Sequence, residues 1–116
     1  KPKKVIMELK RHKPSEICVS AITYAKLTHG VEKSMAVEKN RLALALLFSN
    51  IEVLDFDTKS AIHYGKIRAY LQKQGTPIGS LDMMIAAHAM SLGYTVVTNN
   101  IKEFERVPDL KLENWA

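Results

Sequence analysis

The sequence predicts an α/β fold with a central parallel sheet and helices on both faces, a three-layer α/β/α arrangement. Short β-branched runs alternate with longer helical segments along the chain. The 116 residues give room for one domain and one core. The composition is that of a globular protein, 47% hydrophobic and 25% charged. Strands separated by helices pair in parallel, so we expect residues 1–116 to form a single domain of this class.

The chain opens with a basic segment and a short apolar run. Lys3–His12 has the spacing of a basic amphipathic helix that stops before Pro14. Such a helix is most often a solvated face, and contact with RNA or a protein partner is the less frequent alternative. Ile17–Val19 predicts a buried strand, and Ser20 is placed to cap a helix that continues to about Val31.

The middle of the chain contains two further helices around a strand. Met35–Phe48 is rich in strong helix formers. Ile51–Phe56 alternates apolar and polar residues at its start, which predicts a strand. Asp57 then caps a long amphipathic helix that Gly75 ends.

A tight loop and the most apolar helix follow. Thr76–Gly79 has the composition of a fixed turn, and Ser80 is expected to cap the next helix. Leu81–Leu92 is apolar on nearly all sides, which predicts a central, buried helix that Gly93 terminates.

The chain closes with two short strands around a short helix. Tyr94–Thr98 suits a strand covered on both faces. Asn100 opens a helix to about Val107, and Leu110–Trp115 predicts an edge strand.

Composition and missing motifs exclude several classes of protein. A single cysteine, Cys18, excludes a disulfide framework and a cysteine-based zinc site, and it suits a reducing cytoplasm. No apolar run reaches the roughly 18 residues of a membrane span, so no membrane association is expected. The four histidines show no metal-ligand spacing, and no dinucleotide, P-loop or serine-hydrolase motif is present. The net charge of +5 favours a polyanionic partner without identifying one.

Ligands of parallel sheets bind where the carboxyl ends of the strands meet, so polar residues just after strands are the candidates for chemistry. Asp82 joins these candidates because it lies in the first turn of the buried helix, where Met83, Met84 and Ile85 leave a carboxylate in apolar surroundings. The structural alternative is an acid that complements the helix macrodipole, worth about 0.3–1 kcal/mol.

Asn100 and Glu103 also have two interpretations. The Asn-x-x-Glu spacing is that of a capping box, in which each side chain satisfies a backbone amide of the helix start. Both residues also follow a predicted parallel strand, where oxygen ligands could hold a hard cation such as Mg²⁺.

Several segments together resemble the PIN-domain ribonucleases of the VapC toxin family. They occur in the family's order and span nearly the whole chain. The segments that carry the resemblance are Ser20-Ala-Ile-Thr-Tyr-Ala-Lys-Leu-Thr-His-Gly30, Gln74-Gly-Thr-Pro-Ile-Gly79 with Asp82 and Ile85-Ala-Ala-His-Ala89, Val97-Thr-Asn-Asn100 with Glu103-Phe-Glu-Arg106, and Glu113-Asn-Trp115.

The resemblance implies a PIN-like α/β/α fold and an acidic pocket that binds Mg²⁺ or Mn²⁺ for RNA cleavage. It further implies a cytoplasmic toxin, a homodimer neutralised by a VapB-type antitoxin, with tRNA as a candidate substrate. By position, Asp82 matches the family's core metal-binding aspartate. Asn100 matches a further acidic position, Glu103 a nearby supporting acid, and Ser20 and Thr98 the small hydroxyls near the site.

The chain departs from the family pattern at two places. Lys26 stands where the family has a glutamate. The family's first strand, which carries an aspartate and is central in the sheet, is absent, so we expect a truncated domain with a gap between its remaining strands.

The lysine has a direct electrostatic consequence. At about 5 Å and an effective dielectric constant of about 20, unit charges interact by roughly 3 kcal/mol, and a divalent ion doubles this. Replacing attraction by repulsion then weakens metal binding more than about a hundredfold, even after most of the energy is screened. We therefore expect an impaired nuclease, with the Lys26 ammonium in the cation position beside Asp82 or Glu103.

Two other functions are alternatives to the active nuclease. The chain could be a catalytically inactive PIN module that binds its antitoxin and RNA. An unrelated flavodoxin-like or receiver-like domain is disfavoured, because no phosphate-binding loop or acidic cluster follows the first strand.

Overall fold

The computed structural model describes Met7 and residues 11–115, and these form two compact units. His12–Asp55 forms the first unit, and the described residues outside that range form the second. The predicted basic helix Lys3–His12 lies largely outside the described residues. No helix within the described part of the chain is long and apolar enough to cross a bilayer.

The first unit is a helical pair beside two short strands. Its elements are a 3-10 turn Pro14–Glu16, strand β1 (Cys18–Ser20), helix α1 (Ala21–Glu32), helix α2 (Val37–Leu47) and strand β2 (Glu52–Leu54). β1 and β2 pair in parallel, as predicted, with Val19 opposite Val53. The Ser20 hydroxyl accepts a hydrogen bond from the Ile22 amide at 3.1 Å, which confirms the predicted cap of α1.

Polar and aromatic contacts join α1 to α2. Nε and Nη2 of Arg41 each donate to one carboxylate oxygen of Glu32, at 2.8 and 2.7 Å. The ring of Tyr24 meets Phe48 edge-on at 5.1 Å. The prediction of a buried first strand was wrong, since β1 is only half-buried. A two-stranded sheet contacted by one helix of its unit shields only part of each strand.

The second unit contains the core of the protein. Its elements are helix α3 (Thr58–Gln74), helix α4 (Ser80–Leu92), strand β3 (Val96–Val97), helix α5 (Ile101–Phe104) and strand β4 (Leu112–Glu113). β3 and β4 pair in parallel, with Val96 opposite Leu112. The four described strands form two two-stranded sheets, β1 with β2 and β3 with β4.

Local signals set most helix ends of this unit. Asp57 accepts hydrogen bonds from the amide and the hydroxyl of Ser60, each at 2.9 Å, and so caps α3 as predicted. Gly75 and Gly93 end α3 and α4 with φ of 72° and 69°, a left-handed conformation that favours glycine. The predicted cap Ser80 was wrong: Gly79 is the N-cap of α4 and Ser80 is already helical. The helix after Asn100 ends at Phe104, earlier than predicted.

The core lies between α3 and α4. Leu71 of α3 and Ala86 and Ala87 of α4 are completely buried, and the other buried apolar residues are Ile67, Ile78, Met83, Val96, Phe104 and Val107. α4 is therefore central, as predicted, although Leu81 and Leu92 at its two ends are exposed. The prediction that the third strand is covered on both faces was wrong, because Val97 is 44% exposed. A two-stranded sheet with one packed face leaves alternate side chains in solvent.

We expect the core of the second unit to depend on Leu71. Leu71→Ala should lower the free energy of unfolding by about 2–5 kcal/mol, because it opens a cavity at a fully buried site. The matched control on the same helix is Ile62→Ala, which should change it by no more than about 0.5 kcal/mol because Ile62 is 55% exposed. Urea unfolding followed by circular dichroism measures both, and equal losses would contradict this assignment of the core.

Candidate acidic site

The site is built on the loop between α3 and α4. Gly79, the N-cap of α4, has φ −58° and ψ 145°, so its backbone turns away from the helix and its amide remains free to bind a side chain. Asp82 lies in the first turn of α4 and is half-buried. A helix start concentrates unpaired amides and positive dipole, so it favours negative side chains nearby.

Glu103 of α5 is held by hydrogen bonds to both carboxylate oxygens. Oε1 accepts from the Gly79 amide at 2.8 Å, and Oε2 accepts from Nδ2 of Asn100 at 2.7 Å. The side chain of Asn100 makes no cap bond to α5. The capping-box interpretation was therefore wrong: the Glu103 carboxylate is engaged by a different loop.

The two carboxylates meet at Gly79. A β-carbon built on Gly79 would lie 3.5 Å from Oε1 of Glu103 and 3.7 Å from Oδ2 of Asp82. Both acids therefore face the same stretch of backbone, although one belongs to α4 and the other to α5. The absence of a side chain at Gly79 leaves the space next to them open.

The environment of Glu103 favours its charged form. The Gly79 amide lowers the pKa of the carboxyl below its ordinary value of 4.5, the Asn100 amide adds to this, and Asp82 and Arg106 contribute further. Glu103 is thus ionised at neutral pH. Two carboxylates side by side concentrate negative charge, which favours a bound cation.

The donor set is one of hard oxygens. Within residues 11–115, no three His, Cys, Asp or Glu side chains are grouped so as to hold a metal on their own. Two carboxylates and the neighbouring amide group of Asn100 nevertheless fit Mg²⁺, which commonly takes one or two protein carboxylates and completes its shell with water and substrate phosphate. A site of this composition binds its cation most firmly when a phosphate is present.

Arg106 and Lys102 were not predicted as site residues. A surface cavity of about 460 Å³ adjoins the carboxylates, and its lining residues are Pro77, Ile78, Gly79, Asn100, Lys102, Glu103 and Arg106. Nη1 of Arg106 donates to the carbonyl of Pro77 at 2.9 Å, which ties α5 to the same loop that holds Glu103. Glu103 therefore lines one opening together with Lys102 and Arg106, an arrangement suited to a cation and a phosphate together. Only the occurrence of Arg106 in the family-like Glu103–Arg106 segment could have drawn attention to it.

The remaining predicted residues divide between the two units. Oγ1 of Thr98 accepts from the Asn100 amide at 3.0 Å and so fixes the turn that presents Asn100. Asp82, Thr98, Asn100 and Glu103 thus all lie in the second unit. Ser20 and Lys26 lie in the first, where Ser20 caps α1 and Lys26 is exposed on the same helix. The position of the Lys26 ammonium in the cation site stays a prediction.

Comparison with known proteins identifies a family. Residues 2–110 match the PIN domain. The tRNA(fMet)-specific endonuclease VapC of Salmonella typhimurium is 52% identical over 102 residues, which cover 88% of this chain and 77% of that protein. Ribonuclease VapC2 of Rickettsia felis is 45% identical over 103 residues, 89% of this chain and 77% of that protein.

Solved structures give the same result. The chain is similar to the DNA-bound VapBC of Salmonella typhimurium, with a TM-score of 0.93 and 46% identity over 99% of this chain and 86% of that chain. It is also similar to VapBC-1 of nontypeable Haemophilus influenzae, with a TM-score of 0.89 and 38% identity over 98% and 86% of the two chains.

The hydrogen bonds to Glu103 should make stability depend on pH. Since its pKa is lower in the folded chain than the ordinary 4.5, ionised Glu103 stabilises the fold above that pH, and this is lost as the pH falls through the folded-state pKa. The wild type should therefore exceed Glu103→Gln in unfolding free energy at about pH 7, and the difference should shrink below 4.5. Urea unfolding across this range measures it, and a difference independent of pH would refute the assignment.

Proposed function

The chain belongs to the PIN domain family and to its VapC branch, and from this premise we propose that it is a metal-dependent endoribonuclease of a toxin–antitoxin pair. The observation that carries the proposal is the position of Glu103. Its Oε1 accepts from the Gly79 amide at 2.8 Å while Oε2 accepts from Asn100, and the carboxylate lies beside Asp82. A capping role would not need that arrangement.

In this proposal Asp82 and Glu103 hold Mg²⁺ or Mn²⁺. When bound there, the ion supplies positive charge that activates water and offsets the negative charge of the scissile phosphate. Gly79 and Asn100 orient the Glu103 carboxylate and keep it ionised. Thr98 fixes Asn100 through its amide.

The basic side of the cavity has a separate role. Lys102 and Arg106 line the opening next to the carboxylates. Arg106 uses one donor on Pro77, and a guanidinium has five, so further donors remain for phosphate oxygens. We assign to these two residues the neutralisation of an RNA phosphate in the cavity.

We further propose that Lys26 impairs the activity. The family resemblance places a glutamate at this position, so the chain carries a positive charge where the family supplies a negative one. Weaker cation binding follows from this inversion of charge, whichever conformation the lysine side chain adopts. The Ser20 hydroxyl, which starts the same helix, keeps its family position as a supporting group.

A protein partner is part of the proposal. The relatives of known structure are VapBC complexes, and we propose a VapB-type antitoxin as the partner of this chain, with the toxin itself a homodimer. In the first unit, Leu42 and Leu46 lie one turn apart on α2 and are 62% and 65% exposed. Adjacent exposed leucines favour a surface that a protein partner covers.

The substrate is a separate part of the proposal. As one relative is named for tRNA(fMet), we propose tRNA as the substrate and the cytoplasm as the place of cleavage.

Cleavage of tRNA with and without Mg²⁺ tests the proposed reaction. Lys26→Glu should tighten the apparent Mg²⁺ affinity by at least about a hundredfold, since it restores attraction at the cation site. Adding Asp82→Asn to that variant should abolish the gain. Lys39→Glu, on exposed α2, makes the same change of net charge and should leave the Mg²⁺ dependence as it was.

Two outcomes would overturn the nuclease proposal. One is cleavage that persists in EDTA or in the Asp82→Asn variant. The other is a Lys26→Glu variant that neither binds Mn²⁺ nor cleaves RNA while still binding a VapB-type antitoxin. The second result would favour the inactive binding module.

The space at Gly79 gives a test that does not depend on activity. In the Lys26→Glu background, Gly79→Ala should fold normally, because φ −58° suits alanine, but its methyl group would fill the space 3.5 and 3.7 Å from the two carboxylates. Mn²⁺ affinity, followed by electron paramagnetic resonance, should fall about 10–100-fold. Gly65→Ala on α3 is the matched control, since its methyl would meet nothing within 4 Å. Unchanged Mn²⁺ affinity in Gly79→Ala would contradict the cation site.

A further inference from the structure

Helix α3 carries nearly all of the protein's excess charge. Its 17 residues contain Lys59, Lys66, Arg68 and Lys73 and no acid, a net charge of +4 out of +5 for the whole chain. The other 13 cations are nearly balanced by the 12 acids. A helix with this excess of positive charge raises the local concentration of anions and favours a polyanionic partner.

Three of these cations lie on one face. Lys59, Lys66 and Lys73 are seven residues apart, so they follow one side of the helix over about 21 Å. His63 and Tyr70 fall between them at spacings of three and four, on the same face. We call these five residues the α3 stripe.

The stripe is open to solvent. Its three lysines are exposed, Tyr70 is 44% exposed and His63 is half-buried. Among the described residues, none of the three lysines makes an ion pair or a side-chain hydrogen bond. Arg68, on another side of α3, instead donates to the Tyr64 hydroxyl at 2.7 Å. The stripe therefore presents uncompensated charge, whereas Arg68 is occupied within the helix.

We propose that the α3 stripe binds the backbone of single-stranded RNA, with Tyr70 stacking on a base, and guides the strand to the acidic site. This rests on the proposed function, because it places the track for that reaction's substrate. Lys73 lies in the last turn of α3, and the chain runs from there through Gly75 into the loop whose Gly79 amide holds Glu103. The stripe therefore directly precedes, along the chain, the loop whose Gly79 amide holds Glu103 and the helix start that carries Asp82.

The chemistry of the stripe favours RNA over an acidic peptide. Evenly spaced cations match a repeating phosphate backbone, and each phosphate neutralised releases counterions. An exposed aromatic ring among them offers a stacking face that every base can use. Carboxylates of a peptide would use the lysines and leave Tyr70 without a comparable role.

Fluorescence anisotropy of a labelled single-stranded RNA in EDTA tests this without cleavage. The wild type should bind, and the variant with Lys59, Lys66 and Lys73 all changed to Gln should bind about a hundredfold more weakly at ~0.1 M salt. Its slope of log affinity against log salt should be smaller by about 2, since each phosphate contact contributes about 0.7. The matched control changes Lys33, Lys39 and Lys111 to Gln, which lowers the net charge equally, from +5 to +2, and should keep the wild-type slope.

The aromatic contribution is measured separately. Tyr70→Ala should weaken RNA binding at least about fivefold, and Tyr70→Phe should bind like the wild type because it keeps the ring. Thermal melting by circular dichroism checks that each variant is folded.

The outcomes separate this inference from the proposed function. If the chain shows no Mg²⁺-dependent cleavage but its RNA binding still requires the three lysines of the stripe, the nuclease proposal is refuted and the RNA-binding proposal stands. Wild-type RNA affinity and salt slope in the triple Gln variant would refute the track, whether or not the chain cleaves RNA. Loss of antitoxin binding alone in that variant would identify the stripe as a protein-docking face, and absence of RNA binding by the wild type would also overturn the inference.

Discussion

The hydrogen bond from the Gly79 amide to Glu103 is the contact on which the acidic site depends. It joins two segments 24 residues apart, the loop that starts α4 and the short helix α5. The start of a helix attracts negative charge, and here it attracts two carboxylates, Asp82 from its own first turn and Glu103 from a neighbouring element. One carboxylate would complement the helix dipole; the second creates a surplus of negative charge that a cation can relieve. The second carboxylate is therefore what turns an ordinary helix start into a candidate metal centre.

The second unit arranges its charges in a way that suits a phosphodiester substrate. The carboxylates of Asp82 and Glu103 both face Gly79, and Lys102 and Arg106 line the cavity next to Glu103. Arg106 also binds the Pro77 carbonyl, so the same residue ties down the loop and faces the cavity. Cation and phosphate each reduce the cost of binding the other, since each neutralises charge that the other would leave exposed. A pocket with acids alone or bases alone would lack this mutual support.

Features decided within a few residues were predicted well. Ser20 and Asp57 cap α1 and α3, and glycines in the left-handed conformation end α3 and α4, because each of these contacts is closed inside one turn of chain. Parallel pairing was also predicted, since the alternation of strands and helices dictates it. Two local predictions failed, since Gly79 and not Ser80 is the N-cap of α4 and α5 ends at Phe104. The other errors concern contacts or coverage that distant parts of the chain supply. Asn100 and Glu103 have the spacing of a capping box, yet the Glu103 carboxylate accepts from the amide of Gly79, and the side chain of Asn100 makes no cap bond. Burial of Ile17–Val19 and of Val97 was overestimated, because apolar character does not tell how many faces of a strand are covered.

By itself, the sequence determined the α/β class, the Ser20 and Asp57 caps, the family resemblance and the choice of Asp82, Asn100 and Glu103 as candidates. These follow from periodicity, from local hydrogen-bonding chemistry and from the order of motifs, none of which needs coordinates. Only the tertiary structure decided that Asp82 and Glu103 meet at Gly79, that Asn100 serves Glu103 instead of its helix, and that Arg106 holds the loop. The physical reason is that these contacts join residues remote along the chain. Their geometry depends on how α3, β3 and α5 pack around α4, and the spacing of residues along the chain does not determine that packing.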